Sequence, residues 1–91
     1  MLKFKSKKAL LEYLTESDPD IMLYPDYESA LVGAAENFYG VVAVYDLDAI
    51  LEKLVKDGME NVEEADEFFR FNILGAYMSD TQPIFLNGIK K

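Results

Sequence analysis

The sequence predicts an α+β fold: a small sheet, built from a hairpin and a closing strand, packed against two or three helices. Three observations carry that reading. The run "VVAVY", Val41 to Tyr45, is β-branched, short and bounded by Gly40 and Asp46, which is the pattern of a strand. Two later stretches, from Leu47 and from Val62, space their apolar residues at helical intervals. Apolar residues make up 51% of a 91-residue chain, enough for one small core and too many for a disordered chain.

The elements follow in order. Met1 to Lys5 alternates apolar and basic residues, with Leu2 and Phe4 on one side; this reads as a short edge strand guarded by lysines. Ser6 is suited to cap a helix from Lys7 to about Thr15, with Leu10, Leu11 and Leu14 as its apolar stripe. "SDPD", Ser17 to Asp20, is a turn, and Tyr24-Pro25-Asp26 marks a second break. The segment Glu28 to Ala35 suits either strand or helix. The turn "ENFYG" before Val41 favours a hairpin, and therefore a strand over Ser29 to Ala34, with Gly40 at a special backbone angle.

Asp46 or Asp48 caps the next helix, which runs to about Lys56 and gathers Leu47, Ile50, Leu51, Leu54 and Val55 on one face. Glu52 and Lys56 are spaced as an i,i+4 ion pair, and Gly58 ends the helix. Asn61 and Glu64 have the spacing of a capping box for the last helix. Thr81-Gln82-Pro83 breaks the chain again, and Ile84 to Leu86 is the closing strand. Residues 1–91 therefore form a single domain, with a basic N-terminal segment and helix over 1–16 and an α+β core over 21–86.

The last helix poses the functional question. "NVEEADEFFRFNILGAY" crowds acids and phenylalanines together. On a wheel advancing about 100° per residue, Val62, Ala65, Phe69, Ile73 and Ala76 share a stripe flanked by Phe68 and Asn72. Acids in the first turn suit the positive helix N-terminus, and Asp66 pairs with Arg70 at i,i+4. Most of the acidity is thus a solvent face. Phe71 and Leu74 resist that account, because they lie among the acids; either a second element covers them or a partner does. Glu63, Asp66, Glu67, Phe71 and Leu74 are the candidate partner-binding residues. Asn72 is expected to tie a neighbouring loop by hydrogen bonds.

Charge narrows the partner. The net charge is −8, yet Lys3, Lys5, Lys7 and Lys8 cluster at one end and Lys90 and Lys91 at the other. Between them the 17 acidic residues meet only Lys53, Lys56 and Arg70. Such a body repels nucleic acid and anionic membranes and suits a basic protein surface. Direct nucleic-acid binding is not expected. Mimicry of DNA is a further alternative; it would need acids over one continuous face, and three helices are expected to direct theirs differently. A chain this small buries only about two-thirds of its unfolded surface, so self-association is a second expectation.

Several chemistries are excluded. Without His or Cys, no Ser–His or Cys–His nucleophile exists and no imidazole or thiolate can hold zinc. No glycine-rich phosphate loop is present. Asp46-x-Asp48 could hold Mg²⁺ but is better read as helix caps. The expectation is a protein that is not an enzyme, with no catalytic residue, cofactor or metal. No apolar run approaches the roughly 20 residues of a membrane span, and "MLKFKSKKALLEYL" lacks a small-residue cleavage site; a cytoplasmic protein is expected.

Three stretches carry a resemblance: "YPDYESALVGAAENFYG", "VYDLDAILEKLVKDGM" and "EEADEFFRFNILGAYMSDTQPIF". Together, from Tyr24 to Phe85, they span about two-thirds of the chain. They resemble a family of small, largely uncharacterised proteins encoded by bacteriophages and prophages. Members have an acidic helix followed by Phe-Asn, a Gly-Ala-aromatic step and a Thr-x-Pro segment, matched here by Phe71-Asn72, Gly75-Ala76-Tyr77 and Thr81-Gln82-Pro83. The chain departs at "NFYGVV", where relatives carry a Gly-Gln-Pro-like turn. The resemblance implies context, not an activity: small acidic non-enzymatic phage proteins often act by binding host proteins, including defence systems, so a protein that binds and inhibits a host defence or nucleic-acid-handling factor is expected. A self-associating assembly protein, or one that sequesters a small ligand near the "YG" turn and Asn72, are the alternatives.

Overall fold

The computed structural model describes residues 6–38, 40–74 and 82–87, with the backbone alone for Asn37, Ile73 and Leu74. The order is α1 (Lys7–Ser17), a 3-10 turn (Pro25–Ala30), β1 (Leu31–Asn37), β2 (Gly40–Asp46), α2 (Leu47–Lys56), α3 (Val62–Phe69), a π-helical turn (Arg70–Leu74) and β3 (Ile84–Leu86). Three strands in the order β1-β2-β3 form a mixed sheet with helices packed on it, so the fold is α+β. The expected edge strand at Met1–Lys5, the Gly75-Ala76-Tyr77 step and Thr81 lie outside the described residues.

The hairpin pairs β1 with β2 antiparallel, and Asn37 faces Gly40 across a two-residue loop. Gly40 adopts φ +129°, which a side chain would strain. β1 starts two residues later than expected, because Pro25 opens a 3-10 turn that absorbs Ser29 and Ala30. One extra residue between Leu31 and Gly33 makes a bulge, bending the strand locally. β3 runs parallel to β2. A parallel partner needs a crossover connection, and the segment carrying α2 and α3 supplies it.

β2 is central, and Val42 to Asp46 is buried on both faces. Ala43 and Tyr45 point into the main core with Leu10 and Leu14 of α1, Ile50, Leu51 and Leu54 of α2, and Ala65 and Phe69 of α3. Tyr45, Phe69 and Phe85 form its aromatic centre: Phe69 meets Phe85 edge-on at 4.8 Å between centroids, and Tyr45 stacks on Phe85 at 6.0 Å. Both geometries are favourable for ring quadrupoles. The Tyr45 hydroxyl is satisfied by accepting from the Tyr24 N–H at 2.9 Å. Burial pushes the Tyr45 hydroxyl above the ordinary tyrosine value.

Local chemistry sets the ends of the helices. Ser6 Oγ accepts from Ala9 N–H at 3.1 Å, and α1 continues to Ser17. Lys7 Nζ donates to the carbonyls of Ser29 (3.0 Å) and Leu31 (3.1 Å), so this lysine ties α1 to the start of β1. Of the two candidate caps for α2, Asp46 acts: its carboxylate faces Ala49 N–H, while Asp48 is exposed in the first turn. The expected Glu52–Lys56 pair is replaced by Lys53–Asp57 at 2.7 Å.

Candidate functional site

The end of α2 sets up the candidate site. Met59 N–H bonds to the Leu54 carbonyl at 3.0 Å and Gly58 N–H to the Val55 carbonyl at 3.1 Å. This is a Schellman cap, and Gly58 takes φ +129° to make it. The cap turns Met59 back against the core. Two residues later Asn61 caps α3, its side-chain oxygen accepting from Glu64 N–H at 2.8 Å. Glu64 reaches back to Glu60 N–H at 3.2 Å rather than to Asn61, so the capping box is displaced by one residue.

On α3 the buried stripe is Ala65 and Phe69, both 0% exposed. Val62, predicted to join it, is 53% exposed in the first turn. A different face lines an open groove of about 320 Å³, bounded by Met59, Glu64, Glu67, Phe68, Phe71 and Asn72. Glu64, Glu67, Phe68 and Phe71 follow the i, i+3, i+4, i+7 spacing of a single helix face. Phe68 is 36% and Phe71 83% exposed.

The α-helix stops at Phe69 and the chain passes into the π-helical turn. Such a turn widens the hydrogen-bond spacing by one residue and disturbs the ladder where it begins. There Asn72 Nδ2 donates to the Phe68 carbonyl at 3.1 Å. Asn72 therefore secures its own helix, whereas the sequence predicted a tie to a neighbouring loop.

The five predicted partner-binding residues divide. Glu67 and Phe71 line the groove. Glu63 is exposed but outside the lining. Asp66 is half-buried and committed to Arg70, whose Nε lies 3.1 Å and 3.0 Å from its two carboxylate oxygens. Leu74 has its backbone in the π-helical turn. Glu67, by contrast, has no side-chain hydrogen bond or ion pair among the described residues. Sequence reasoning missed Met59, Glu64 and Phe68 as neighbours of Phe71. The helical spacing from Glu64 to Phe71 was the available signal; Met59 arrives only through the Schellman turn.

No cluster of His, Cys, Asp and Glu among the described residues could hold a metal ion. No helix among them is long and apolar enough to cross a membrane. No protein-family model, curated protein or solved structure shows a significant match to this chain.

Proposed function

We propose that this chain is a non-enzymatic binding protein of phage type that occupies a basic surface on a host protein and thereby inhibits it. The observation that carries the reading is the exposed Phe71 beside Glu67, whose carboxylate is uncommitted among the described residues, in a groove with no cationic residue among the described residues that line it. An apolar centre rimmed by like charges is the make-up of a binding hot spot: rings supply affinity and carboxylates steer a cationic partner. The host setting rests on the resemblance to phage proteins, and a defence or nucleic-acid-handling factor is the class of target it suggests.

The test is capture from a nuclease-treated bacterial lysate, run in parallel with wild type, Phe71→Ser and Glu67→Lys. The reading requires one captured protein that is depleted with both variants and released by moderate salt. Equal capture by all three would overturn it.

A second reading, self-association, is favoured by β3. Ile84 and Leu86 are exposed on the strand that ends the described sheet, while Phe85 between them packs in the core. An apolar edge strand is a template for pairing with a second copy. Sedimentation of wild type and Ile84→Lys separates the readings, since only an edge-paired dimer dissociates in the variant.

A further inference from the structure

Resting on the reading of this groove as a binding site, we propose that its occupant is an arginine side chain presented by a short basic segment of the partner. The inference comes from what the lining offers. Two phenylalanine rings border the groove, and neither has a ring partner or a cation over its face among the described residues. Glu67 is an uncommitted acceptor. Glu64 uses one carboxylate oxygen on Glu60 N–H and keeps the other. Asn72 uses one of its two amide N–H donors on the Phe68 carbonyl, and its side-chain oxygen is an accepting end.

Among the described residues the site thus presents open aromatic faces and hydrogen-bond acceptors, with no side-chain cation in its lining. Arg70, the one arginine of the chain, is held by Asp66. A guanidinium answers both features. Its planar face stacks on a ring while its fork of N–H donors meets a carboxylate, and it sheds water more readily than an ammonium. Lysine offers a strongly hydrated point charge that gains less from the rings.

The choice of arginine also separates a foreign partner from a second copy. This chain has a single arginine, Arg70, and its other basic residues are lysines. A groove tuned to guanidinium does not select the lysine-rich segment Met1–Lys8.

Three fluorescein-labelled peptides test the proposal by anisotropy at low and moderate salt. One is Gly-Ser-Arg-Leu-Arg-Ser-Gly, the second has lysine in place of both arginines, and the third is this chain's own first eight residues. The arginine peptide should bind about fivefold or more tighter than the lysine peptide. That preference should vanish in Phe68→Ser/Phe71→Ser, and Glu67→Gln should weaken the arginine peptide most. Amide shifts confined to the α3 face and the π-helical turn should accompany binding. Equal affinity for the two synthetic peptides, still sensitive to Glu67→Gln, would overturn the arginine preference and leave the basic-partner reading intact. Tightest binding of the chain's own segment would overturn it in favour of a second copy. Failure of all three peptides, with capture from lysate still dependent on Phe71, would show that the partner is not recognised through a short arginine segment.

Discussion

Replacing Phe69 by Ala should destabilise the fold severely, while the same change at Phe71 should hardly register. Phe69 is fully buried and stands edge-on to Phe85 at 4.8 Å. A phenylalanine buries some 150–250 Å², which at about 25 cal/mol per Å² is worth roughly 4–6 kcal/mol as an upper bound. Measured truncations of buried phenylalanine cost about 3–5 kcal/mol. A chain of 91 residues holds a total of only about 5–14 kcal/mol at typical stability per residue, so the variant will sit near the edge of unfolding. With a urea slope of about 1–1.5 kcal/mol/M, the denaturation midpoint should fall by about 2–5 M. Phe71 is 83% exposed, and its truncation should change stability by about 0.5 kcal/mol or less. Urea titrations followed by circular dichroism at 25 °C measure both. Equal midpoint shifts for the two variants would refute the placement of α3, because they cannot coexist with one ring buried and the other in solvent.

Gly58→Ala should destabilise by about 1–2 kcal/mol, because a side chain is strained at φ +129°; an unchanged melting temperature would contradict the Schellman geometry. Alkaline pH should also destabilise. The hydroxyls of Tyr24, Tyr27 and Tyr45 are all raised above the usual 10.0, chiefly by burial, so the unfolded chain loses these protons first. Their contribution is intact below about pH 10 and is lost as pH rises through the raised folded values. Melting temperature should fall across that window, and a rise there would be inconsistent with buried phenols. Calorimetric titration with Mg²⁺ should show no tight site: Asp46, 1% exposed, is placed to cap α2, and a strong site lost in Asp46→Asn would reverse that assignment.

Legibility in the sequence followed how local the cause was. β2 and α2 were readable from β-branching and a five-residue apolar face, and the caps at Ser6, Asp46 and Asn61 from side-chain chemistry within a turn. The 3-10 turn at Pro25–Ala30 was not, since "ESALVGAA" satisfies strand and helix periods alike and the outcome depends on what Pro25 starts upstream. The site was half legible. Phe71 stood out because a wheel left it among acids, and Glu67 stood beside it. Asp66 lies in the i,i+4 pair with Arg70 that the spacing had indicated. The π-helical turn was invisible to a wheel of constant pitch, and with it the role of Asn72. Met59 depended on a tertiary turn that no periodicity encodes.

In the proposed function Phe71, 83% exposed, meets a cationic protein partner and contributes little to the fold. Partner affinity and urea midpoint, measured on the same preparations of wild type and Phe71→Ser, test it most directly. Affinity should fall by at least about tenfold, the order of a hot-spot truncation above 1 kcal/mol, while the midpoint stays within about 0.5 M of wild type. Undiminished affinity would show that Phe71 is outside the binding surface, and a midpoint that collapses together with affinity would show that it belongs to the core.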